Sequence, residues 1–262
     1  GQARKVDGGY RFSGRWAFSS GSAHCSWVIL GANMVAEGGD GKAEPYNFLL
    51  PRSDYTIVDT WNVMGLCPTG SNDIVVDDVF VPEHRVLRER DMFNLDCPGH
   101  ALNSEALYAI PFAQLFNRTV STTSIGSLGR ALNVFVETTR KKRTTFTGLS
   151  VASDPTIQKA VADVKLILSD LELRLAADLA ELEARAVSGD WPIERRAELG
   201  HSTTAMVSRC VEAIDKLMLF SGGKAIYSGN VVQRAFLDIH CARAHVANNP
   251  YPYARNVGGL AF

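Results

Sequence analysis

Short runs in which large apolar residues alternate with polar ones fill the first third of the chain. Tyr10-Arg11-Phe12 and Arg15-Trp16-Ala17-Phe18 alternate in this way, and residues 26–32, 46–50, 55–58 and 74–81 form further apolar or alternating runs. Turn-rich stretches lie between them: Asp7-Gly8-Gly9, Gly38-Gly39-Asp40-Gly41 and Thr69-Gly70-Ser71-Asn72. A period of two broken by such punctuation predicts six strands in an antiparallel sandwich or barrel. Beyond a linker at residues 98–103 the period becomes helical. The clearest helix opens at Asp154-Pro155, a carboxylate N-cap followed by proline at the first helical position. From Ile157 through Val164, Leu171, Leu175, Leu179 and Leu182 to Ala186, apolar residues recur every three or four positions. That spacing keeps one stripe facing a partner for about eight turns. Ser188-Gly189-Asp190-Trp191-Pro192 stops it. Further helices are predicted over about Glu105–Arg143, Pro192–Phe220 and Asn230–Ala247, which makes an up-down four-helix bundle. The stripe is read as bundle core, with no cofactor role. The predicted fold is α+β: an antiparallel β-sandwich or barrel over residues 1–97, then a C-terminal four-helix bundle over residues 98–262.

Composition acts on this picture by exclusion. The chain has 262 residues, 46% hydrophobic and 21% charged, enough for one large or two modest globular domains. A net charge of -1 points away from nucleic acid and from anionic membrane surfaces. No apolar run approaches the roughly 18 residues of a membrane span, and no signal peptide is recognisable. Five cysteines, an odd number without a Cys-x-x-Cys pair, argue against a disulfide framework or a zinc knuckle. These features lead to the expectation of a soluble cytoplasmic protein. His24-Cys25 has no second pair nearby and is read as part of a turn, so no metal site is expected. A Gly-x-Gly-x-x-Gly fingerprint is lacking, which argues against a nicotinamide-binding domain.

Several segments carry a resemblance to a known family. Residues Asp7 to Gly21, with Arg15-Trp16-Ala17-Phe18-Ser19-Ser20-Gly21 at their end, resemble the middle β domain of the acyl-CoA dehydrogenase superfamily. They are most similar to its oxygenase branch, the two-component flavin-dependent aromatic hydroxylases. Met64 to Asp73, followed by Val79-Phe80-Val81-Pro82, resembles the segment that closes that domain. Arg140 to Gly148, then Asp154-Pro155 and Gln158, resembles a helix junction of the bundle; Ser221-Gly222-Gly223 and Arg234-Ala235-Phe236-Leu237-Asp238 resemble its glycine turn and last helix. In that family a helical domain precedes the β domain. Since the chain starts at Gly1 without Met, the expectation is a piece of a longer protein, short of part of the flavin loop and much of the substrate pocket.

The resemblance implies site residues. Ser20 falls where a hydroxyl lies near the flavin N5 and Phe18 where an aromatic lies against the ring, with Trp16 and Ser19 as neighbours in the cofactor site. On an alternating strand Trp16, Phe18 and Ser20 would share a face. From the residues alone, Trp16 and Phe18 read equally as core aromatics and Ser20 as the start of a turn. Arg143 falls where an arginine reaches the flavin phosphate, often across a subunit boundary, although Arg140-Lys141-Lys142-Arg143 by itself reads as a solvated helix end. Gly222 and Gly223 are a helix-ending turn that in FAD-bound relatives lets backbone amides approach the diphosphate. His245 falls where the oxygenase branch has a histidine facing the flavin, and it joins Ser20 as the catalytic pair; the residues alone also allow a surface or capping histidine. On a regular helix His240 would point about 140° away from it. Asn248 and Asn249 are expected to end that helix rather than bind flavin.

Acyl-CoA dehydrogenation needs a carboxylate base. The two positions where the resemblance places it hold Val246 and Asn117, and the nearest carboxylate in the first predicted helix, Glu105, lies upstream. The implied activity is therefore that of an oxygenase component. It would take reduced FMN or FAD from a separate flavin reductase, use O2 through a C4a-hydroperoxyflavin, and hydroxylate a small phenolic or aromatic substrate. A histidine titrating near neutrality suits either donation to the peroxide or deprotonation of a phenol. A homotetramer is implied as well. Two alternatives stay open: an acyl-CoA dehydrogenase using FAD, and a bundle protein that binds no flavin.

Overall fold

The computed structural model describes residues 1–35 and 42–262, so the expected Gly38–Gly41 turn lies outside the described residues. The chain divides into two units: residues 1–63 with 67–111, and residues 64–66 with 112–262.

In the first unit the described residues form two antiparallel sheets. One has the order β1 (Gln2–Val6), β2 (Gly9–Trp16), β6 (Asp73–Pro82), β5 (Thr56–Val58); the other has β3 (Trp27–Val35), β4 (Ala43–Pro51), β7 (Val86–Arg88). The first two predicted runs are one continuous strand, β2. The sequence reading misses β1 and β7: β1 is an edge strand with largely exposed polar residues, and β7 has only three residues. Alternation closes the sandwich. Phe12 from one sheet stacks on Phe48 from the other at 4.2 Å, both fully buried, with Leu50, Ile74 and Val76 around them. Two short helical segments and α1 (Glu89–Asn94) follow before the second unit.

The second unit contains α2 (Phe112–Arg140), α3 (Pro155–Ser188), α4 (Ile193–Ser221), α5 (Val231–Arg243) and α6 (Tyr251–Leu260). The predicted caps of α3 are present. Asp154 Oδ1 accepts from the Thr156 amide at 2.8 Å, Pro155 follows, and Gly189 ends the helix at φ 70°. The first predicted helix starts later than expected, at Phe112, because Ile110 before Pro111 is extended and separates the short 3-10 turn Ala106–Ala109 from it; Glu105 therefore precedes the helix. Leu128 and Phe135 of α2, Leu171 of α3, Ile214 and Leu217 of α4 and Ile239 of α5 form the core.

The predicted α3 stripe faces this core except at one position. Leu179 is exposed, and the buried site between Leu175 and Leu182 belongs to Asp178. Further along α3, Glu181 ties the helix to α4: it accepts from Arg195 Nε at 2.7 Å and Arg185 Nε at 2.8 Å. These bonds, the one from Arg195 foremost, hold its carboxyl at about 2, against 4.5 unperturbed. A pKa lower in the folded state adds stability above the unfolded pKa and loses it as pH falls through the folded value. The thermal-stability advantage of the unsubstituted chain over Glu181→Gln should therefore be full near neutrality and vanish as pH falls from about 4.5 toward about 2, as followed by melting temperature against pH.

Candidate functional site

In the first unit the expected cofactor residues cluster where β2 ends. The strand stops at Trp16, and Phe18 takes a left-handed conformation at φ 61°. This breaks the alternation, so Trp16, Phe18 and Ser20 do not share a strand face as expected. Trp16 is a sandwich residue: its ring stacks on Phe12 at 5.0 Å and its indole N–H donates to the Gly31 carbonyl at 2.8 Å. Phe18 is 73% exposed, with Trp61 edge-on at 6.0 Å. A bulky residue at positive φ is uncommon and marks a site held in place by its surroundings. Those surroundings are residues 69–72. The Ser19 amide donates to the Asn72 carbonyl at 3.1 Å and the Gly21 amide to the Thr69 carbonyl at 2.8 Å. Asn72 Oδ1 also accepts from the Thr60 and Trp61 amides, both at 3.0 Å. Ser20 is exposed, and its hydroxyl is 2.7 Å from that of buried Ser71, which is 2.7 Å from that of Thr69. The sequence reading gives Trp61, Thr69 and Ser71 no site role: it takes 69–72 as a turn within the 64–73 segment that closes the domain.

In the second unit the basic run and the glycine turn meet through Lys142. Lys142 Nζ donates to the Ser221 carbonyl at 3.0 Å. Gly222 has φ 74°, and a Cβ there would stand 2.7 Å from Lys142 Nζ. Gly223 opens the short turn Gly223–Ile226. Arg143 lies in the loop after α2, pairs with Ser150 across an isolated bridge and donates to the Gly148 carbonyl at 3.4 Å. An open glycine turn with an ammonium group over it is a donor set suited to phosphate.

His245 is not on a helix. Helix α5 ends at Arg243, where a buried side chain binds one of its last carbonyls: Asn248 Nδ2 donates to the Ala242 carbonyl at 2.7 Å. Asn248 Oδ1 accepts from Ser121 of α2 at 2.7 Å, so Asn248 ends the helix as expected. The helical argument separating His240 from His245 therefore fails. His240 Nε2 is instead 2.8 Å from Asp215 Oδ1 on α4. His245 caps the turn Val246–Asn248, its Nδ1 accepting the Ala247 amide at 3.1 Å. With Nδ1 an acceptor, the neutral ring carries its proton on Nε2. The ring keeps some open surface, yet partial burial lowers its pKa below the usual histidine value. Phe116 lies 6.3 Å away and stacks on Phe112 at 5.5 Å, with both faces partly exposed. In the sequence this i, i+4 aromatic pair looks like ordinary helix core.

The family model described as "Acyl-CoA dehydrogenase, C-terminal domain" matches residues 119–250, half of the chain. The chain belongs to the acyl-CoA dehydrogenase family. It is 37% identical over 252 residues to the flavin-dependent monooxygenase oxygenase subunit HsaA of Rhodococcus jostii, covering 95% of this chain and 65% of that protein. To the oxygenase component of FADH2-dependent resorcinol hydroxylase from a Rhizobium species it is 33% identical, covering 94% of this chain and 63% of that one. The chain thus spans less than two thirds of the length of these relatives. The crystal structure of 3-HSA hydroxylase from Rhodococcus sp. RHA1 superposes with a TM-score of 0.91 at 35% identity, covering 99% of this chain and 67% of that one. The sandwich followed by the bundle is therefore the acyl-CoA dehydrogenase-like arrangement that the sequence implies. Within this family fold, neither expected position for a carboxylate base carries one. Val246 is exposed, and the amide of buried Asn117 donates to the Tyr253 hydroxyl at 2.8 Å. Among the described residues no helix is long and apolar enough to cross a membrane.

Proposed function

We propose that this chain is part of the oxygenase component of a two-component flavin-dependent monooxygenase that hydroxylates a phenolic or aromatic substrate. The observation that carries this reading is His245: a neutral ring presenting Nε2–H beside the Phe112–Phe116 stack, with no carboxylate at either base position. Its relatives' names support the same activity. Reduced FMN or FAD, delivered by a separate reductase, would supply the activation of O2. The residues present fit such a group. Ser20 offers a hydroxyl at the exposed end of an internal hydrogen-bond chain, and Phe18 an exposed ring held at positive φ; Ser19 fixes this turn through its amide. In the second unit, Lys142 and the Gly222–Gly223 turn offer donors suited to a phosphate, with Arg143 on the adjoining loop. Trp16 supports the β2 end from within the sandwich. His245 donates from Nε2 to an oxygen of the reacting group, and Phe112 and Phe116 give a flat apolar surface for an aromatic ring.

A homotetramer is part of this reading. Leu166, Leu173 and Val187 are exposed at multiples of seven along α3, a line of apolar contacts suited to another copy. The activity is tested by supplying the full chain with a flavin reductase, NADH, flavin and air and following a panel of phenols by mass. The expected result is a product heavier by one oxygen atom, labelled from 18O2. Reoxidation of flavin without any hydroxylated phenol, or dye reduction driven by an acyl-CoA, would overturn it.

A further inference from the structure

We infer that the fully buried Asn248 is a positioning residue, which fixes His245 against α2, the helix that carries the Phe112–Phe116 stack. This rests on the reading of His245 as a proton donor in the proposed function. His245 is exposed and follows the end of α5, so no regular helix holds it in place. Yet both of its main-chain groups are bound. Its N–H donates to the Ala242 carbonyl at 3.1 Å, and its carbonyl accepts from the Asn248 amide at 2.9 Å. Asn248 closes this path into a ring, because its Nδ2 donates at 2.7 Å to the same Ala242 carbonyl. One residue thus holds the turn at both ends, while the Ala247 amide holds the imidazole from within it.

The ring is tied to α2 by a single hydrogen. A carbonyl only accepts, so the Asn248 side chain faces Ala242 with its nitrogen and Ser121 with its oxygen. Ser121, also fully buried, lies 2.7 Å from Asn248 Oδ1 and 2.7 Å from the Asn117 carbonyl, with one hydrogen for two acceptors. The Asn117 carbonyl also takes the helical bond from the amide four residues on. Sending the Ser121 hydrogen to Asn248 therefore leaves neither buried acceptor without a donor. Phe116, little more than one turn before Ser121 on the same helix, lies 6.3 Å from the His245 ring. One helix thus presents the aromatic surface and the hydroxyl that anchors the histidine. The spacing between the Nε2 donor and that surface is set through Asn248, and a misplacement of about 1 Å can slow a reaction about 100-fold.

The experiment compares the full unsubstituted chain with Asn248→Ala and Ser121→Ala. It measures kcat and KM for the phenol of the panel that gives most product, and the binding of reduced FMN and FAD under anaerobic conditions. NMR follows the titration of the His245 ring, its signal assigned by its loss in His245→Ala. The expected result is a kcat about 10- to 100-fold lower in Asn248→Ala and less reduced in Ser121→Ala, with reduced-flavin binding within about twofold. Burial holds the His245 pKa below 6.5, so a loosened turn admits water and the titration midpoint rises toward that value in both variants. Asn249→Ala is the control: it removes a neighbouring amide that caps α6 by accepting the Tyr251 amide at 3.1 Å, and it should leave kcat and midpoint unchanged. If Asn248→Ala does not fold, Ser121→Ala, which keeps the bond to Ala242, decides alone. An unchanged kcat or an unmoved His245 midpoint, whatever the fall in melting temperature, would overturn the positioning role while leaving the proposed function standing. The absence of any hydroxylated phenol from the unsubstituted chain would overturn the proposed function, and this role with it.

Discussion

Replacing Asp178 by Ala is expected to destabilise the bundle by about 3–5 kcal/mol, the range for breaking a buried ion pair by removing one partner. For a unit of this size that is a fall in melting temperature of about 6–20 °C. Asp178 is 2% exposed and accepts from Arg118 Nη2 of α2 at 3.2 Å and from Ser202 Oγ of α4 at 3.1 Å; it also forms an ion pair with Arg174 of α3 itself at 3.0 Å, whose Nε donates to Ser202 Oγ at 2.9 Å. Arg118 is nearly as buried, and its remaining bonds run to the Gln114 carbonyl and Oε1 at 2.8 and 3.1 Å. Burial already pushes the Arg118 guanidinium below the usual arginine value, with Asp178 acting in the opposite sense. Without the carboxylate a charged group stays in the core with its main counter-charge gone. Replacing both members together, Arg118→Leu with Asp178→Leu, is expected to recover most of the loss, since no uncompensated charge remains. Ser202→Ala, which removes one neutral donor, should cost only about 1 kcal/mol. Calorimetric melting of the three variants checks this; a loss for Asp178→Ala no larger than for Ser202→Ala would show that the pair does not hold the bundle.

Asp178 also shows what the apolar pattern could and could not convey. Capping and periodicity are local, so Asp154-Pro155 and Gly189 fall where expected, and the switch from a period of two to one of 3.6 is legible although α2 starts only at Phe112. The pattern gives the buried position between Leu175 and Leu182 to Leu179, because a hydrophobic stripe has no place for a carboxylate unless its partner is known. That partner, Arg118, is sixty residues away in sequence, and the pairing is a property of the folded bundle. The ends of β2 and α5 failed for a related reason. Phe18 leaves the strand because residues 69–72 bind its neighbours, and α5 stops where Asn248 reaches back to Ala242. In both cases a later segment of chain overrides a continuing local pattern. The candidate site followed suit: residue types such as Ser20, Gly222 and His245 could be singled out, but not the hydroxyl chain behind Ser20 or the lysine over Gly222.

On the proposed function, His245→Ala is expected to lower hydroxylation by about 10²–10⁴-fold, the usual worth of a positioned proton donor or acceptor, while leaving reduced-flavin binding in place. The geometry favours donation. Nδ1 is committed to the Ala247 amide, so the neutral ring has its hydrogen on Nε2 and no lone pair left to act as a base there. This choice has a pH signature. Burial holds the His245 pKa below its unperturbed 6.5, so the neutral ring dominates at and above that pH and is lost as pH falls through the lowered value. Protonation would place a hydrogen on Nδ1 facing the Ala247 amide, and the cap would open. The rate should accordingly be level above about pH 6.5 and fall on the acid side, with the midpoint below that value. His245→Asn keeps a donor but has no group that titrates there; it should retain more activity than His245→Ala and lose the acid limb. If the histidine acted as a base, His245→Asn would be as inactive as His245→Ala. The rate of phenol hydroxylation from pH 5 to pH 8 in the three proteins separates the roles, and an unchanged rate in His245→Ala would remove the histidine from the chemistry altogether.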